Sequence, residues 1–216
     1  MEGAVREAYA HQFRSLEEQR ESASLGMWLF LASEVMFFGG LFTAYGLYHS
    51  AYPAAFAAGS RHLDVTLGAV NTVVLLGSSL AMVLAVDGAR RGSRRRQVVF
   101  LILTMLLGIV FLAIKTAEYL HKFEEGLAPG ASFTFPEPGG REAQLFFFLY
   151  FTMTGVHAVH MAAGIGVLLV LTVRAARGRY TPEHHGGLEG AGLYWHFVDI
   201  IWIYIFPLLY LLGARH

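Results

Sequence analysis

The sequence predicts an all-α integral membrane protein, a bundle of five transmembrane helices. Three observations carry that reading. Five long apolar runs take up more than half of the 216 residues. Charged residues make up only 15%, against about 25% in a soluble domain. The basic residues also cluster in alternate connections, as positive-inside charge does.

The runs lie at roughly 25–48, 65–87, 98–120, 145–173 and 193–212. Each holds the ~20 residues needed to cross ~30 Å of hydrocarbon. The fourth is long enough to tilt or to project beyond the bilayer. Residues 1–24 mix five glutamates with three arginines. That pattern does not fit a cleavable signal and reads as a cytoplasmic or interfacial segment. Residues 25–216 form the membrane domain. Eleven arginines fall in the N-terminal segment and the second and fourth connections, so the expected topology has the N-terminus cytoplasmic and the C-terminus outside.

Composition excludes several functions. Formal net charge is zero, so no basic surface recommends nucleic acid. There is no cysteine, hence no disulfide, thiolate metal site or cysteine nucleophile.

The informative residues are ionisable groups inside apolar runs, where charge is costly and usually functional. Glu34 lies nine residues into the first run, ~13–14 Å deep at 1.5 Å per residue. His157 and His160 are three apart in the fourth run, and His196 and Asp199 in the fifth. Each pair shares a helix face by spacing. Glu189 and His184-His185 precede the fifth run, and Glu118 lies near the far end of the third. Arg174 and His184 bracket the fourth connection at headgroup level, where cationic donors suit phosphates.

Several chemistries compete for these residues. His157 or His160 opposite His196 could ligate haem, but the paired pattern of a four-helix cytochrome core is missing. His157, His160 and Glu34 could form a carboxylate–histidine metal site, with no other feature to support it. Glu34 and Asp199 could relay protons. The structural alternative is a set of interhelical hydrogen bonds, worth ~0.6–2 kcal/mol each. For the histidines the structural reading is preferred. For Glu34 both readings stay open.

Five motifs in order carry a resemblance to a known family. They are Ser33-Glu-Val-Met-Phe-Phe38, Asn71-Thr-Val-Val-Leu-Leu-Gly-Ser-Ser79 and Ala117-Glu-Tyr119. Gly155-Val-His-Ala-Val-His160 follows, then His184-His185, Glu189 and Tyr194-Trp-His-Phe-Val-Asp-Ile-Ile-Trp202. The chain resembles subunit III of the haem–copper respiratory oxidases, closest to the cytochrome c oxidase branch. The resemblance implies a subunit with no catalytic residue, metal or haem of its own. It implies that subunits I and II are its partners and carry the haems and copper, and that cytochrome c or quinol donates electrons to the complex and not to this chain. It places the family's functional carboxyl on Glu34 and lipid-headgroup contacts on Arg174 and His184, with structural phospholipid bound. His157, His160, Glu189, His196 and Asp199 become a polar network holding the bundle together. Longer relatives have seven spans, so the five runs here point to a multi-pass protein of a bacterial plasma membrane. The alternatives are a quinol oxidase subunit III, a nitric oxide reductase accessory subunit, or a stand-alone proton-coupled transporter.

Overall fold

A computed structural model describes residues 16–130, 133–137, 139–182 and 185–212 of the chain. All regular elements among them are helical: α1 Leu16–Ala51, α2 Pro53–Arg61, α3 Val65–Arg90, α4 Arg94–Glu124, α5 Gly140–Ala176 and α6 Gly186–Phe206, followed by a π-helical turn, Pro207–Leu211. Five of them are long and apolar enough to cross a membrane. They cover the five expected runs and extend most of them by several residues, except that the fifth run's last residue, Leu212, lies just past the π turn that ends the span. A helix satisfies every backbone group within its own segment, which is the condition for crossing hydrocarbon.

By backbone contacts the chain divides after Phe37. The described part of the first unit is the leading portion of α1, a single rod with Leu25, Trp28, Leu29 and Met36 exposed. A side chain exposed in this way suits lipid or another membrane chain. The second unit, Phe38–His216, holds everything else.

The packing of the second unit follows from a stripe on each helix. On α4 the buried positions are Gln97, Leu101, Thr104, Gly108, Phe111, Lys115, Glu118 and Lys122. Steps alternate between four and three, the 3.5-residue heptad pattern that keeps one seam facing neighbouring helices. On α3 the stripe runs through Gly68, Asn71, Leu75, Ser78, Met82, Ala85 and Ala89. On α6 it runs through Leu188, Ala191, Trp195, Val198, Asp199, Trp202 and Ile205. These stripes bring α3 against α4 and α6, and α5 against α4 and α6. The end of α1 lies along α6, through Phe38 against Phe197 and Phe42 against Tyr204.

The connections mark two ends. The turns after α3 and α5 carry Arg90, Arg91, Arg94, Arg177 and Arg179 at one end. The opposite end holds α2, which was not foreseen: residues 49–64 read as a plain connection. A nine-residue helix is too short to show as an apolar run. Pro53 starts it, where the missing N–H costs nothing, and it buries Phe56 against Phe146 of α5. At the same end Pro207 cannot donate to the preceding turn. The helix widens into the π turn, with Leu212 N donating to Pro207 O at 3.1 Å.

Candidate functional site

The stripes of α4, α5 and α6 carry polar side chains into the interior, and these fall into two zones. The first lies toward the opposite end. Lys115 and Glu118, one helical step apart on the α4 stripe, form an ion pair at 2.9 Å with each side chain only 3% exposed. Tyr150 of α5 and Tyr210 of the π turn close around them. Lys115 Nζ donates to Glu118 Oε2, to Tyr150 Oη at 3.1 Å and to Tyr210 Oη at 2.6 Å. Both phenols donate in turn to Glu118 Oε1, at 3.0 and 2.7 Å. An ammonium has three protons, and all three are used. Both carboxylate oxygens and both hydroxyls are used as well. The rings of Tyr119, Tyr150, Trp202 and Tyr210 surround the ammonium at 4.7–5.5 Å from Nζ to centroid, which adds cation–π attraction in a buried site. Tyr119 extends the network by a hydrogen bond to Thr154.

The second zone runs along α3 and α6 toward the arginine-rich end. Trp195 occupies a slot made by missing side chains: a Cβ on Gly108 or Gly164 would come within 2.9 or 3.0 Å of its ring. Its indole N–H donates to Ser78 Oγ at 2.9 Å. Trp202 likewise donates to Thr72 Oγ1 at 3.1 Å. His196 Nδ1 and Ser79 Oγ are 2.7 Å apart. Asp199 is buried, and neither carboxyl oxygen has a hydrogen-bond partner among the described residues. His157 is fully buried between the rings of Phe111 and Trp202, and both its nitrogens are likewise unpartnered.

The structure thus separates residues that spacing had grouped. His157 lies on the α5 stripe and faces the core, whereas His160 lies beside it and is partly exposed. His160 Nδ1 meets its own helix at Val156 O, and its ring meets Phe38. Asp199 lies on the α6 stripe, and His196 sits at its edge. Glu34 belongs to the first unit, partly exposed on α1, while the histidines belong to the second. Among the described residues no three His, Cys, Asp or Glu side chains cluster as a metal site.

At the arginine-rich end Glu189 accepts from Arg90 at 2.7 Å and sits 3.3 Å from His185. Arg174 is exposed in the last turn of α5, where a cation suits the helix C-terminus. It lies beside the Tyr180 hydroxyl. Burial raises that phenol above its ordinary range, and the guanidinium pulls the other way. His184 lies outside the described residues.

A family model, cytochrome c oxidase subunit III, matches residues 5–214. The chain belongs to that family. Cytochrome c oxidase subunit 3 of the cyanobacterium Synechocystis sp. is 36% identical over 188 residues, covering 87% of this chain and 74% of that one. The same subunit of Papio hamadryas is 33% identical over 205 residues, covering 90% and 71%. Quinol oxidase subunit 3 of Bacillus spizizenii is 30% identical over 201 residues, covering 92% of each. As a member of the subunit III family, this membrane protein is a component of a haem–copper oxidase and associates with other oxidase subunits.

Within that family fold the Lys115–Glu118–Tyr150–Tyr210 quartet is the feature missed from sequence. A signal existed. Lys115 and Glu118 stand on the same 3.5-period stripe as Leu101, Gly108 and Phe111, which marks them as packed inward. The two tyrosines, 35 and 95 residues from Lys115, carry no such local mark.

Proposed function

We propose that this chain is subunit III of an aa3-type cytochrome c oxidase in a bacterial plasma membrane. It sits beside subunit I, which with subunit II carries the haems and copper and receives electrons from cytochrome c. The chain itself holds no redox centre. Its arginine-rich end faces the cytoplasm, which the positive-inside rule supports. Glu34 supports proton uptake and the durability of subunit I, and Arg174 with His184 retains phospholipid headgroups. The observation that carries this reading is the family match along residues 5–214.

Its test is purification of the complex in mild detergent, with subunit identification, a haem spectrum and turnover with reduced cytochrome c or with quinol. Haem A, a copper-bearing subunit II and turnover on cytochrome c are expected. The similarity to a quinol oxidase subunit of nearly equal length supports a second reading, and turnover on quinol alone would select it. The role of Glu34 is tested by Glu34→Gln in the assembled complex. Shortened activity lifetime or an altered pH profile is expected, and no change in either makes the residue structural. Unchanged lipid content in an Arg174→Ala, His184→Ala variant, read by mass spectrometry, removes the headgroup site.

A further inference from the structure

A cavity of about 780 Å³ lies at the end opposite the arginine-rich one, where α1 ends and α5 begins. Its size falls within the range of sites for small molecules, ~300–1,000 Å³. It belongs wholly to the second unit. It shares no residue with the Lys115 quartet, the Asp199 zone or the positions proposed for phospholipid headgroups.

The floor follows from the composition of α2. Pro53 starts that helix, and the residues after it are small. Ala54, Ala57 and Ala58 put only methyl groups against the space, and Leu212 adds an apolar wall from beyond the π turn. The rim is polar and uneven in charge. Arg61 donates to Glu137 at 3.0 Å, so those two charges answer each other. Glu142 is the third charge on the rim, and it has no ion pair or hydrogen bond among the described residues. It stands in the first turn of α5, where a negative side chain suits the helix N-terminus. Two rings complete the rim. His49 is stacked on Tyr45 at 5.9 Å and meets Phe56 edge-on, so packing holds it. The Tyr52 ring lines the cavity and makes no ring contact among the described residues. An aromatic face of this kind attracts an ammonium group.

We propose that this cavity binds an amphiphilic amine, a molecule with an ammonium group for Glu142 and an apolar body for the alanine floor. The ammonium donates to the Glu142 carboxylate in a charge-assisted contact, and the Tyr52 ring adds to its attraction. The apolar body leaves water by covering the methyl groups of α2. A carboxylate or sulfonate head of the same size meets Glu142 as a like charge, and the cation that would balance it, Arg61, is already engaged by Glu137. A bare metal ion does not fit, since among the described residues no three ligating side chains cluster. A lipid with an ethanolamine headgroup and a free alkylamine both carry the matching chemistry. The site depends neither on the electron donor nor on Glu34.

The test uses the assembled oxidase complex in a maltoside detergent, which is uncharged. The probe is an alkyl chain with a photoreactive diazirine and a trimethylammonium head. Peptide mass spectrometry should place its cross-links on α2. Labelling there should fall about tenfold in Glu142→Gln, the loss of one charge-assisted contact of ~1.4 kcal/mol. Glutamine also serves at this position of a helix start, so α5 begins as before. Ala54→Leu fills the floor at an exposed position, leaves every charge in place, and should lower labelling too. The same chain with a sulfonate head should label α2 weakly. Competition by an ethanolamine phospholipid assigns the site to a lipid headgroup, and competition by octylamine alone assigns it to a free amine. Competition by neither overturns the proposal. So does absence of labelling on α2, labelling unchanged in either variant, or equal labelling by the sulfonate and ammonium probes.

Discussion

The Lys115 quartet and the Asp199 zone lie in the same bundle, in the same apolar surroundings, and solve opposite problems. In the quartet every polar proton and every acceptor atom is engaged within the protein. A charge there has nowhere better to go, so the group ties α4, α5 and the π turn together. At Asp199 both carboxyl oxygens lack hydrogen-bond partners among the described residues. The difference teaches that burial of an ionisable group does not by itself mark function. A closed network ties helices together, and an unpartnered carboxyl does not.

The sharpest way to break that contrast is to open the quartet. Lys115→Met leaves the Glu118 carboxylate buried without its cation, at a cost of ~3–5 kcal/mol. The loss should show as a large fall in the temperature at which the complex releases this subunit. Adding Glu118→Leu should recover much of it, because both charges are then gone. A double variant as unstable as the single would refute the structural account. Tyr210→Phe strips one acceptor from Lys115 and one donor from Glu118. It should cost ~1–3 kcal/mol on the same scale, with the C-terminal π turn more open to hydrogen exchange.

Asp199→Asn should be much milder, about 1 kcal/mol or less, because no protein hydrogen bond is lost. A destabilisation as large as that of Lys115→Met would erase the contrast between the zones. The smallest effect belongs to the rim. Arg90→Ala removes an ion pair whose partners are 63% and 38% exposed. Exposed pairs are worth ~0–1 kcal/mol, so subunit release should barely move and should lose what little dependence it has at high salt.

Much of the fold was legible because hydrophobic length is a local property. Twenty apolar residues cross a bilayer whatever they later touch, so α1, α3, α4, α5 and α6 could be placed from the runs alone. The α2 helix escaped because Ala57, Ala58 and Gly59 make a short, weak pattern that only Phe146 and the π turn turn into a buried one. The candidate site was half legible. His157 and Asp199 stood out as polar residues in apolar helices, and both are buried. Their supposed companions His160 and His196 are partly exposed. A spacing of three puts residues on neighbouring positions of a helix, but only the 3.5-period stripe says which of them faces inward.

The sequence by itself determined the membrane spans, the alternation of arginine-rich connections and the family, because each rests on order along the chain. Tertiary structure alone decided what each buried polar group meets. Lys115 finds Tyr210 from 95 residues away, His196 finds Ser79 from 117, and Asp199 finds no hydrogen-bond partner among the described residues. Hydrogen bonds act over about 3 Å, and which groups come within that reach is set by how the helices pack.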